Sequence, residues 1–140
     1  MTLIIPKTIL QAIHLHLERA YPEEGAGFLL GKDGEPRHVT HILPLENARK
    51  DSRGRRYLIE ALDYLHAEEL AERLGTSLLG VFHSHPDHPN RPSEYDREWA
   101  QPFFSYLITS VEQGKATQSR CWRLSEDRQE FLEETIQLNE

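Results

Sequence analysis

Pro86, Pro89 and Pro92 follow directly on the apolar run Ser77-Leu78-Leu79-Gly80-Val81-Phe82. The run has the length and the β-branched and aromatic content of a buried strand. Each proline fixes φ and removes an N–H donor, so neither strand nor helix can run through the segment that follows. A strand end, a rigid loop and a helix start at Ser93 are therefore forced into succession. His83 and His85, two residues apart at the strand end, project from one face. Asp96 lies one turn inside the new helix, on the side of Ser93. The three elements can converge on one point.

Two imidazoles on one strand face are a ready pair of metal ligands. A divalent metal held for hydrolysis needs three protein ligands and one open position for water, so a third ligand must come from elsewhere. Asp96 is the best local candidate, and Asp87 and His88 are alternatives that residue patterns leave open. Ser93-Glu94-Tyr95-Asp96 also approximates a capping box, which predicts a helix start whether or not a metal binds.

The 140 residues suit a single domain, residues 1–140, with one core. No apolar run is long enough to cross a bilayer. The start, Met1-Thr2-Leu3-Ile4-Ile5-Pro6, lacks a basic leader before a hydrophobic region, so the expected location is cytoplasmic. A net charge of −7 argues against nucleic acid as the main partner. The single cysteine, Cys121, excludes multi-cysteine zinc sites, and beside Trp122 in an apolar strand it reads as a buried structural thiol. The missing cysteine pair also disfavours a zinc deaminase.

The periodicity predicts a helix from Pro6 to about Tyr21, with His14 and His16 as solvated surface residues. A buried strand over Gly25–Gly31 and a turn at Lys32-Asp33-Gly34 lead into a second strand, Arg37 to Leu43. Pro44 to Arg56 is a polar loop with five basic residues, Arg49, Lys50, Arg53, Arg55 and Arg56. A brief strand at Tyr57-Leu58-Ile59 precedes a helix from Glu60 to Leu74, whose apolar stripe is Leu62, Leu65, Leu70, Ala71 and Leu74, with Gly75 as its cap. After the Ser93 helix, Ser105–Val111 and Thr117–Leu124 form an antiparallel pair, and Phe131–Leu138 adds an edge strand. This order predicts an α/β or α+β domain with a mixed central sheet flanked by helices.

His83-Ser84-His85-Pro86 with Ser93 and Asp96 reproduces the His-x-His-Pro…Ser-x-x-Asp signature of the JAMM (MPN+) metallopeptidases. Glu24-Gly25-Ala26-Gly27-Phe28-Leu29-Leu30-Gly31 reproduces their upstream Glu-x-x-Gly-x-Leu-x-Gly element. The chain most resembles stand-alone bacterial members that act on ubiquitin-like sulfur-carrier proteins. The resemblance implies an MPN-type, cytidine-deaminase-like fold, with His83, His85 and Asp96 binding a catalytic Zn²⁺ that activates water. Glu24, rather than its neighbour Glu23, matches the general base, and Ser93 matches the oxyanion donor. The implied substrate is an extended carrier tail ending near Gly-Gly. The long polar loop motivates the separate expectation that such a tail adds as a strand near residues 44–58, the alternative being a solvated loop. A non-catalytic scaffold of the same fold is the alternative, against which every motif position is present.

Overall fold

The computed structural model describes residues 1–46, 49–50 and 57–140. In chain order the elements are β1 (Thr2–Pro6), α1 (Lys7–Ala20), β2 (Ala26–Lys32), β3 (Arg37–Pro44), β4 (Arg49–Lys50), β5 (Tyr57–Leu58) and α2 (Ala61–Arg73). They continue with β6 (Ser77–Pro86), α3 (Glu94–Trp99), β7 (Ser105–Glu112), β8 (Lys115–Leu124) and β9 (Phe131–Asn139). The main sheet runs β1-β3-β2-β6-β7-β8-β9, mixed in direction, with β6 parallel to β7 and antiparallel to β2. Helices pack on it, as the α+β expectation requires.

The sheet closes on itself because β1 pairs in parallel with both β3 and β9. Two expectations change here. Thr2–Pro6 is a strand, and β9 is paired on both sides instead of forming an edge. The Leu3 and Ile5 side chains are fully buried on one face of β1, an alternation too short to stand out before Pro6. Closure is also secured by polar contacts: buried Ser105 accepts from Arg37 and donates to Glu134, each at 2.7 Å, and Arg123 also pairs with Glu134. Burying these charges is tolerable because they are paired and hydrogen-bonded.

Two apolar clusters lie on opposite faces of the sheet. On one, Ile13 and Leu17 of α1 pack with Leu3, Ile5, Leu29 and Phe82. Each fully buried aliphatic contributes roughly 1.5–3 kcal/mol. On the other, Ala67 of α2 packs with Phe28, Val81, Phe104 and Tyr106. A bulge sorts β6 between these clusters: Leu29 pairs with Gly80 and Leu30 with Leu78, which leaves Leu79 as the extra residue. Gly80 can only be glycine there, since a Cβ would stand 1.8 Å from the Ser105 carbonyl oxygen.

The stripe expected for α2 holds only in part, with Ala71 buried and Leu70 half-buried. Leu62, Leu65 and Leu74 are 58, 50 and 41% exposed, while Ala67 and Ala71 are buried. Small residues let the helix lie close to the sheet, and the Tyr64 ring fills the seam, stacked on Phe104 and edge-on to Phe28. His14 and His16 are also not simply solvated. His14 Nε2 meets Ser119 Oγ at 2.8 Å, and His16 Nε2 bonds the Ala26 carbonyl with its ring edge-on to Phe82. Partial burial pulls the His14 pKa down, against the attraction of Glu18. Cys121 is buried, and desolvation raises its thiol pKa well above the ordinary value, as suits an inert thiol.

Candidate functional site

Strand alternation sets the first two donors. Val81, His83 and His85 share the face of β6 that looks toward α2 and α3, while Phe82 and Ser84 look toward α1. Asp87 then adopts a left-handed φ of 57°, a conformation that Asp tolerates. Its carboxylate accepts from the Tyr21 hydroxyl at 2.7 Å and the Gln113 N–H at 2.8 Å. The rest of the loop is equally tied down. Buried Asn90 donates to the Gln118 carbonyl, its own carbonyl accepts from the Trp122 indole, and Ser110 donates to the His88 carbonyl. The prolines stop the strand, and these bonds fix where the helix restarts.

The restart is the capping box that the sequence predicts. Ser93 Oγ accepts from the Asp96 N–H at 3.1 Å, and Asp96 accepts from the Ser93 N–H at 2.8 Å. The box turns the Asp96 carboxylate toward the histidines, 3.1 Å from His85 Nε2 and 3.7 Å from His83 Nε2. One donor atom from each of His83, His85 and Asp96 lies within 4.8 Å of the others. Asp87 is committed to Tyr21 and Gln113, and neither it nor His88 is in this cluster.

Whether this set suits a metal can be tested on its own bonds. His85 Nδ1 donates to the Pro89 carbonyl at 2.7 Å, which leaves Nε2 as the lone-pair nitrogen of the neutral ring, directed at Asp96. Two nitrogens and one carboxylate oxygen form the donor set of many three-ligand zinc sites. The electrostatics agree. Burial lowers the His83 pKa to about 4, against the pull of Asp96, so this imidazole is neutral at pH 7. Burial would raise the Asp96 pKa, but His83, His85 and the Ser93 N–H outweigh it and hold the carboxyl well below the usual range. The His85 pKa is raised: burial lowers it, and its bond to Asp96 more than compensates.

Glu24 enters through Ser84. The Ser84 N–H donates to the Gly25 carbonyl at 3.1 Å and Ser84 Oγ accepts from the Gly25 N–H at 2.9 Å. This two-way clamp holds the residue after Glu24 against the strand segment that carries both histidines. Glu24 lines the same cleft as His85 and Ser93, while Glu23 is exposed at the end of α1. Gly27 supports the approach, because a Cβ there would collide with the Phe82 ring at 2.2 Å.

Two cavities flank the cluster and differ in character. On the side of His83 and Asp96 is an apolar cavity of about 420 Å³, walled by Ile59, Tyr64, Val81, Tyr95, Trp99 and Phe131 among others. On the side of His85 is a polar cleft of about 310 Å³ lined by Glu24, His85, His88, Pro89, Arg91 and Ser93. Sequence reasoning missed Ser84 as a clamp, Asn90 as a loop anchor and the apolar cavity. Only the small polar residue between two histidines hinted at the first. The basic residues Arg53, Arg55 and Arg56 lie outside the described residues.

A family model described as prokaryotic homologues of the JAB domain matches residues 6–125. A Thermus thermophilus protein named probable TtuB-protein conjugate cleaving protease is 36% identical over 108 residues, covering 77% of this chain and 70% of that protein. The Mycobacterium tuberculosis CysO-cysteine peptidase is 26% identical over 123 residues, 87% of this chain and 82% of its own. A solution structure from Salinibacter ruber superposes with a TM-score of 0.76 at 41% identity, covering 97% of this chain and 91% of the other.

Proposed function

The chain belongs to the family of prokaryotic JAB-domain proteins, and from that premise we propose that it is a zinc-dependent peptidase. The proposed reaction is hydrolysis of the peptide or isopeptide bond at the C-terminal diglycine of a ubiquitin-like sulfur-carrier protein. The observation that carries the reading is the convergence of His83, His85 and Asp96 within 4.8 Å, beside a cleft that also contains Glu24 and Ser93.

His83, His85 and Asp96 would hold the ion, which when bound would acidify water and polarise the substrate carbonyl. Glu24 takes the proton from the attacking water and passes it to the departing amine. Ser93 uses an oxygen lone pair to cap α3, so its hydroxyl proton is available to the developing oxyanion. Pro89 and the Asp96 carboxylate fix the His85 ring between them. The reaction needs only one domain, and residues 1–140 are read as such.

The partner reading draws on relatives named for TtuB-protein conjugates and CysO-cysteine. An extended aliphatic tail suits the apolar cavity beside His83. Among the described residues the main sheet is closed, so a tail pairing as a strand would use the β4–β5 ladder near residues 44–58. Replacing Arg53, Arg55 and Arg56 together should then weaken carrier binding. No described helix is long and apolar enough to cross a membrane, and the proposed location is the cytoplasm.

The deciding experiment incubates zinc-loaded protein with carrier fusions bearing C-terminal extensions and reads the products by mass spectrometry. Cleavage after the diglycine, stopped by chelator and by Glu24→Gln, is the expected result. Chelator-insensitive cleavage would overturn the zinc reading. A protein that retains no stoichiometric zinc and cleaves nothing would be the scaffold.

A further inference from the structure

We propose that Arg91 makes the polar cleft a carboxylate-reading site for the leaving group, so that the preferred bond joins the diglycine to a residue carrying a nearby free carboxylate. This rests on the peptidase reading above. The first step is to assign the two cavities to the two halves of the substrate. A group that delivers a proton to the departing amine must lie within hydrogen-bond reach of it. Glu24 lines the polar cleft and is not part of the apolar cavity's wall. The leaving group therefore occupies the polar cleft, and the acyl half, with the carrier's tail, runs toward the apolar cavity. Ser93, in the same cleft as Glu24, faces the carbonyl between them.

The second step concerns what the cleft can recognise. At about 310 Å³ it is at the small end of ligand sites, with room for one residue or little more. Among the described residues its only permanently cationic lining group is Arg91, on a backbone fixed on either side. Pro89 accepts from His85, Asn90 is buried with both its amide and carbonyl engaged, and Pro92 has a locked φ. Among the described residues the Arg91 guanidinium makes no hydrogen bond or ion pair, and it is exposed at the cleft. The one carboxylate that lines the same cleft is Glu24, the proposed general base, and no ion pair joins it to Arg91 among the described residues. An unspent guanidinium on a rigid loop is suited to bidentate capture of a carboxylate. That carboxylate can be the α-carboxylate of a single departing amino acid or the side chain of an acidic residue.

The test uses four peptides with one carrier-tail sequence, ending in Gly-Gly-Ala acid, Gly-Gly-Ala amide, Gly-Gly-Asp amide and Gly-Gly-Ala-Ala acid. The zinc-loaded wild type should prefer Gly-Gly-Ala acid over its amide by about tenfold in kcat/KM, the scale of one charge-assisted bond at a partly solvated site. Arg91→Ala should bring this ratio close to one, Arg91→Glu should invert it, and Arg91→Lys should restore part of it. Preference for the Asp amide over the Ala amide assigns the cleft to side-chain carboxylates, and preference for Gly-Gly-Ala acid over Gly-Gly-Ala-Ala acid assigns it to a single terminal residue. A wild-type acid-to-amide ratio of one, with the Asp amide no better, overturns the proposal, as does a preference that survives Arg91→Ala. If no peptide is cleaved, the peptidase reading fails, and binding still decides the inference. In zinc-loaded Glu24→Gln, the Arg91 Nε–H resonance should shift on titration with Gly-Gly-Ala acid and not with its amide; equal or absent shifts overturn it.

Discussion

Adjacent residues of β6 have opposite tasks. Phe82 and Ser84 point toward α1 and are fully buried, one packed among Ile13, Leu17 and Leu29, the other bonded to Gly25. His83 and His85 point the other way and meet Asp96 between two cavities. On the α1 face Phe82 is packed in the core and Ser84 is hydrogen-bonded within the fold itself. On the opposite face, three metal-competent groups are held together although burial desolvates all three. The α1-face packing and the Phe28–Val81–Phe104 cluster beside the site together hold these polar groups in place.

The sharpest break in this comparison removes a donor. His83→Ala or Asp96→Asn should reduce cleavage to background and bound zinc from about one per chain to near zero, measured by elemental analysis, while the fold persists. Full activity in either variant would remove the metal from the mechanism. Glu24→Gln should be milder and of a different kind: zinc retained, kcat lower by about 10²–10⁴-fold, the range typical of a positioned acid–base group.

The opposite phenotype is expected one residue away from His83. Phe82→Ala should cost about 3–5 kcal/mol in denaturant unfolding, as for large-to-small changes in a core. Its activity per folded molecule should fall far less than that of His83→Ala. Ser84→Ala tests the link between the faces. It leaves the buried Gly25 N–H without its acceptor, a loss of about 1–3 kcal/mol. It also loosens the segment that presents Glu24, so kcat should fall while zinc content stays the same. A change in stability alone would make Ser84 a fold residue only.

The site was more legible in the sequence than its surroundings, for physical reasons. His83, His85, Ser93 and Asp96 lie within fourteen residues on elements that prolines delimit sharply, so alternation and capping rules bring them close together, although the choice of Asp96 over Asp87 and His88 needed the family resemblance. The stripe of α2 was right at Ala71 and wrong at Leu62, Leu65 and Leu74, because Ala67 and the Tyr64 ring make the rest of the contact and hydrophobic periodicity gives large aliphatics more weight than small residues. β1 and the closure through β9 depend on pairing between the two ends of the chain, for which local sequence has no signal. His14 and His16 were misjudged for a similar reason, since their partners Ser119 and Ala26 come from strands of the sheet.

The smallest expected effect concerns protons at the site. In the metal-free protein His85 has a raised pKa, its bond to Asp96 outweighing burial, whereas burial lowers His83 to about 4. A histidine raised in the folded state contributes stability below pH 6.5 that is lost as pH rises through its folded value; the lowered His83 and Asp96 act oppositely, weakening the fold as pH falls. For metal binding the consequence is specific to His85, which must give up the Nε2 proton that faces Asp96. Zinc affinity should therefore rise with pH by up to about tenfold per pH unit from His85 deprotonation while pH is below the His85 pKa. Calorimetric zinc titrations in buffers of different ionisation enthalpy should count about one proton released near pH 6, below the range where zinc-bound water itself ionises. Because His83 is already neutral there, release of two protons near pH 6 would show that burial does not hold its pKa down, and the contrast between the two histidines would fail.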